Sequence, residues 1–173
     1  MHMEEEIKRL MDSYGNDVLR IAYLYLKDKY LAEDAFQEVF IKVYKNFDKF
    51  RKDSSEKTWI LSITMNTCKD MLRLSWFKKV TMFKDVEDDL SLRTCENVDD
   101  SVINKAQYEE LLKEVMNLPA KYKEPLILYY YEDLSTVDIS SILKIPEGTI
   151  RSRLYRAREM LRSNIDGKIE YEG

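Results

Sequence analysis

Residues 135–161, STVDISSILKIPEGTIRSRLYRAREML, decide the fold. Ser135 with Asp138 three positions later makes a capping-box-like start for a short helix ending near Leu143. The turn Lys144-Ile145-Pro146-Glu147-Gly148 then leads into a final helix, predicted from about Glu147 to Asn164. Short helix, tight turn and longer helix make a helix-turn-helix. On the last helix Ile150, Leu154, Ala157 and Leu161 share the stripe that should be buried. At about 100° per residue, Arg151, Ser152, Tyr155 and Arg156 fall between about 100° and 240° from Ile150 and face away from that core. Arginine can read guanine through two hydrogen bonds and serine can bond to any base, so this face can reach base edges of duplex DNA. Arg153 and Arg158 lie nearer the core boundary and suit phosphates or ion pairs.

Working outward, Leu111, Leu112, Val115 and Met116 mark one amphipathic helix, and Pro119 opens another through Leu126, Ile127 and Tyr130. The chain has 173 residues, 45% apolar and 35% charged, with four Gly and three Pro. So little Gly and Pro beside so much Lys, Glu and Leu predicts an all-α protein. The net charge of −4 hides a segregated pattern. Residues 51–80 carry seven basic against three acidic side chains, 81–104 two against seven, and 149–162 five against one. The acidic stretch has no sustained apolar period, so 81–104 reads as an acidic linker between two small helical domains, 1–80 and 105–173. Two basic patches, one in each domain, suit a polyanion touched at two places.

In the first domain Ile7, Leu10, Met11, Tyr14, Val18, Ile21, Ala22 and Tyr25 form one helical stripe, with a candidate kink at Gly15-Asn16. A second helix, about Leu31 to Phe47, buries Ala35, Phe36, Val39, Phe40, Val43 and Phe47. Glu33, Asp34, Gln37 and Glu38 stand near its start, where acid also suits the helix dipole. The third helix, about Glu56 to Leu74, carries two stripes. Ile60, Ile63, Thr67, Met71 and Leu74 make the core one. Trp59, Ser62, Asn66, Lys69 and Arg73 cluster about 140° away. With Arg51, Lys52 and Lys57 just before it, this second stripe has cations for phosphates, an aromatic for a base face and an amide for a base edge, the mix that single-stranded nucleic acid needs. Trp59 fits equally well as a core residue.

Catalysis is not expected. No GxxxxGK[ST], GxGxxG, GxSxG or HExxH is present, and His2 is the lone histidine, so an acyl-transfer dyad has no base to draw on. Cys68 and Cys95 form no CxxC, and a zinc site would lack ligands, so neither metal nor cofactor is expected. No apolar run approaches the length of a membrane span, and the acidic Glu4-Glu5-Glu6 start is unlike a signal peptide, so a cytoplasmic protein is expected.

Glu33-Asp34-Ala35-Phe36-Gln37-Glu38-Val39-Phe40, then Thr58-Trp59 with Asn66 and Arg73, then Ile145-Pro146-Glu147-Gly148-Thr149-Ile150-Arg151-Ser152-Arg153-Leu154 occur in order along the chain. In these motifs the sequence resembles the extracytoplasmic-function (ECF) sigma factors of the sigma-70 family over nearly its whole length. The resemblance implies a sigma-2 domain at 1–80, which binds the clamp region of core RNA polymerase and opens the minus 10 element. It also implies a sigma-4 domain at 105–173, whose helix-turn-helix reads the minus 35 element. Carried over, Asp34, Gln37, Glu38 and Phe40 face the polymerase. Asn66 and the loop Arg51 to Lys57 hold a base flipped from the melted strand, and Trp59 matches the motif's tryptophan. Arg151, Ser152, Tyr155 and Arg156 match the positions that touch the minus 35 major groove. A membrane-anchored anti-sigma factor commonly holds such proteins. Two departures stand out: Ser140 replaces a small Ala, and the Arg51 to Lys57 loop lacks a frequent Gly. The competing reading is a dimeric helix-turn-helix regulator that binds duplex DNA without polymerase. A helical adaptor that binds only protein would leave both basic faces without purpose.

Overall fold

A computed structural model describes residues 2–79 and 102–171. The chain divides into two compact units, Met1–Leu92 and Arg93–Gly173. Most of the acidic stretch expected to link two domains, including Cys95, lies outside the described residues. Every regular element among the described residues is helical.

The first unit packs α1 (His2–Leu26), α2 (Lys29–Asn46) and α3 (Glu56–Lys79) against one another, with a 3₁₀ turn at Phe47–Lys49. Its core gathers Leu10, Val18, Val39, Phe40, Val43 and Ile60, with Tyr14, Phe36, Trp59 and Ile63 packed around it. α1 runs unbroken through the expected kink. Gly15 is buried, and a Cβ there would stand 3.2 Å from the Phe36 ring, so glycine serves the close approach of α1 to α2. Asp28 caps α2, its carboxylate accepting from the Leu31 N–H at 3.0 Å. The helix thus starts two residues earlier than the sequence reading placed it. Glu33 and Asp34 fall in its second turn, beyond the reach of the dipole at its end.

α3 is buried over a wider arc than one stripe because it packs on both α1 and α2. Leu61, Thr64, Met65 and Cys68 are buried beside Ile60 and Thr67, while Leu74, placed in the core by its spacing, is 64% exposed. Burial pushes the Cys68 thiol up to about 12, which leaves it protonated and inert.

The second unit comprises α4 (Val102–Asn117), α5 (Ala120–Tyr130), α6 (Thr136–Leu143) and α7 (Glu147–Tyr171). α7 packs on the other three around Ile127, Leu128, Ile139, Ile150, Leu154 and Ala157. Ser135 caps α6, accepting from the Asp138 N–H at 3.1 Å, as its spacing predicts. Lys144 closes α6 in the left-handed conformation at φ 56°.

Ser140, the departure inside the motif, donates its hydroxyl to the Ile145 carbonyl at 2.6 Å, and the Ile145 N–H returns a bond to the Ser140 carbonyl at 3.2 Å. The side chain therefore pins the turn between α6 and α7. Ser140→Ala is expected to cost the second unit about 1 kcal/mol, the net value of a typical hydrogen bond, and to lower its melting midpoint by roughly 4–8 °C. Thermal unfolding checks this; an unchanged midpoint in that unit would remove the role.

Candidate nucleic-acid interface

The first face is built on α3 and the loop before it. Ser55 caps the helix, its hydroxyl accepting from the Thr58 N–H at 3.1 Å, so the loop ends at a fixed point. One residue on, Glu56 is clasped from α1. Arg9 donates through Nη1 and Nη2 to its two oxygens at 3.2 and 2.8 Å, and the Tyr14 hydroxyl donates at 3.3 Å. These bonds, Arg9 first, hold the Glu56 carboxyl below its ordinary range, and Arg9 is held more firmly cationic. Burial pushes the Tyr14 phenol up. Glu56 and its two partners were not legible as a site, since the residues lie more than 40 positions apart.

Within the loop Arg51 and Lys52 are exposed. Lys52 takes φ 57°, the left-handed conformation that favours glycine, at about 1 kcal/mol or more of backbone strain, so this loop, which lacks a Gly, uses a lysine where glycine would be unstrained. Along α3, Asn66 and Arg73 are exposed and Ser62 and Lys69 half-buried. Trp59 settles differently. Its ring stacks on Phe50, centroids 4.5 Å apart and planes 22° from parallel, and packs against the core. One of its faces is therefore already taken, and Asn66 with the cations makes up the open part of the stripe.

α2 presents a second face, and here the sequence assignment needs correcting. Phe40 is 5% exposed, its ring centroid 4.9 Å from that of Phe36, so it belongs to the core, as its place on the buried stripe predicts, and not to the exposed face of α2. Asp34, Gln37 and Glu38 are exposed as expected. Beside them stand Tyr30, Ile41 and Tyr44, which the sequence reading passed over. Positions 30, 34, 37, 41 and 44 step by four, three, four and three, so a second helical stripe was there to be found, as on α3. Lys42, at the edge of this face, donates to the Thr67 hydroxyl at 3.1 Å and stands 3.9 Å from Glu38, tying α2 to α3.

The third face lies on α7. Arg151, Ser152, Tyr155 and Arg156 are all exposed, as their angles predict. Arg158 is engaged instead with α5: its Nε donates to the Tyr130 hydroxyl at 2.7 Å, and its guanidinium lies 5.9 Å from the Tyr129 ring centroid. The first residue of α7, Glu147, accepts on one oxygen from Thr136 at 2.8 Å and Arg151 at 2.7 Å, and those two bonds hold its carboxyl below the ordinary range. No cluster of three metal-ligating side chains occurs, and no helix is long and apolar enough to cross a membrane, among the described residues.

Comparison with known proteins adds the following. The family model for sigma-70 region 2 matches residues 10–77, and that for sigma-70 region 4 matches residues 108–161. The chain is 34% identical over 158 residues to the ECF RNA polymerase sigma factor SigM of Bacillus subtilis, covering 91% of this chain and 93% of that protein. It is 29% identical over 167 residues to SigW of the same organism, at 90% and 87% coverage. Among solved structures, the sigma factor RpoE from Bartonella quintana, in complex with the anti-sigma factor NepR, gives a TM-score of 0.78 at 20% identity, over 94% of this chain and 98% of that one. CnrH, in complex with the cytosolic domain of CnrY, gives 0.69 at 16% identity, over 95% and 90%. At these identities the two structures speak for the fold.

Proposed function

We propose a division of labour within this chain, which belongs to the ECF RNA polymerase sigma factors and so serves transcription initiation as a regulatory subunit rather than an enzyme. The α7 face reads duplex DNA at the minus 35 element. The α3 stripe and the Arg51 to Ser55 loop capture a base from the opened minus 10 element. The α2 face docks on the clamp region of core polymerase, in the cytoplasm where that enzyme works. An anti-sigma factor, commonly membrane-anchored, covers the same face when the protein is idle. The complexes formed by RpoE and CnrH motivate this last step.

The observation that carries the reading is the contrast between the two DNA faces. On α7, two exposed arginines flank a serine and a tyrosine on a helix fixed by a capped turn, the arrangement that reads base edges in the major groove. On α3, an exposed amide stands among cations beside an anchored loop, the arrangement that holds an unpaired base. A net charge of −4 opposes DNA binding by the free chain, so polymerase should be required for tight binding.

The test adds the full chain to core polymerase on a duplex promoter. Start-site-specific transcription is expected, and Arg156→Ala should cost about 1–3 kcal/mol at particular base pairs of the upstream element while leaving melting intact. Tight binding to a palindrome by the chain alone, without transcription, would replace this reading with the dimeric regulator.

A further inference from the structure

The turn between α6 and α7 puts a carboxylate on the helix face that reads DNA. Glu147 accepts on its Oε1 from Thr136 Oγ1 at 2.8 Å and from Arg151 Nη2 at 2.7 Å. The bond to Arg151 alone would be an ordinary pairing of residues four apart on a helix. Thr136 makes it something else. It opens α6, eleven positions away, so one oxygen joins the first residues of both helices of the motif and the guanidinium that projects from the second.

Two physical consequences follow. A carboxylate beside a phosphate backbone repels it, so Glu147 lowers affinity for every DNA sequence alike. An exposed arginine loses much rotamer freedom when it orders on a target, and Arg151, its side chain 69% exposed, would otherwise bond to whichever phosphate or base came within reach. Held through one nitrogen, its guanidinium keeps its remaining donors in a fixed fork. General affinity is given up and orientation gained.

We propose that Glu147, braced by Thr136, is a positioning residue that sets specificity: it holds the Arg151 guanidinium in one orientation so that Arg151 discriminates one base pair of the duplex element. The inference rests on Arg151 being a base-reading residue, as argued above for the α7 face.

The experiment selects bound duplexes from a promoter library randomised across the minus 35 element, using the full chain assembled with core polymerase, and sequences them. Arg151→Ala locates the base pair whose preference depends on Arg151. Glu147→Gln, which keeps the size and removes the charge, is expected to weaken the preference at that same base pair about two- to five-fold, the scale of an exposed ion pair, and to leave other positions alone. Thr136→Val should act in the same direction and more weakly. In an Arg151→Ala background, Glu147→Gln should change no preference. A merely structural role would lower occupancy of all sequences together without altering relative preference, and that result overturns the inference. So does an effect of Glu147→Gln that persists without Arg151, since the carboxylate would then be reading a base itself. If Arg151→Ala alters no position, the reading of Arg151 fails and the inference falls with it. If Arg151→Ala alters one position and Glu147→Gln does not, only the inference fails.

Discussion

Core polymerase is expected to lose this sigma subunit when Ile41 and Tyr44 are both replaced by Asp. Ile41 is 48% and Tyr44 52% exposed, and both share the outer stripe of α2 with Tyr30, Asp34 and Gln37. An exposed isoleucine between two tyrosines on a helix flanked by acid is apolar area with polar groups around it, the composition of a protein contact. Truncating a central residue of such a contact costs about 2 kcal/mol or more, and placing a carboxylate in it adds the desolvation of a charge. A loss of affinity for core polymerase of about a hundredfold or more should follow. The fold should hardly notice, because surface substitutions usually stay within about 0.5 kcal/mol. Phe40→Ala makes the opposite case. Phe40 is buried in the core, so its truncation should cost about 3–5 kcal/mol of stability and reach polymerase only through unfolding. Competition binding to core polymerase, run beside thermal unfolding of both variants, separates the two. Wild-type affinity in the Ile41→Asp, Tyr44→Asp protein would remove α2 as the docking face.

The contrast between Phe40 and Ile41 also shows where reading the sequence stops. Helices around Ile150 and Val39 were legible because apolar residues recur at steps of three and four, and the turn before α7 because its chemistry is local: a Ser cap three positions before Asp138, then Pro146 and Gly148. The outward face of α7 follows directly from its inward one. On α2 the same periodicity buries Phe40 correctly, and it was the family motif that gave this residue to the polymerase face, while the residue that meets solvent is its neighbour. α3 has partners on two sides, so its buried arc includes Leu61 and Met65, which a single stripe leaves out. Trp59 was undecided in the sequence because its partner, Phe50, lies in a loop with no periodicity to fix it. The clasp of Arg9 on Glu56 and the bond from Thr136 to Glu147 join distant positions, and no local spacing announces them. Glu147 itself reads as part of a turn until the atoms facing it are known.

The other large effect is expected at Asn66. It is exposed on α3, about three turns from the capped start of the helix and on the same stripe as Arg73, and no hydrogen bond or ion pair commits it to the fold. An amide offers two donors and an acceptor, enough to bond to the pairing edge of a base that has left its stack and nothing that could bond to that edge within a duplex. Its contribution therefore begins only after extrusion, which itself costs a few kcal/mol. In Asn66→Ala that cost is no longer offset, and open-complex formation on a fully paired promoter should fall roughly tenfold or more, as loss of about 1.4 kcal/mol or more requires. Binding of the upstream duplex element by the second unit should be unchanged. On a template mismatched across the minus 10 element the pairs are already broken and extrusion costs least, so transcription should return toward the wild-type level. Thermal unfolding should be unaffected, since the side chain supports no neighbour. An equal defect on the paired and the mismatched template would mean that Asn66 contributes nothing to opening, and the α3 stripe would lose its assignment as the melting face.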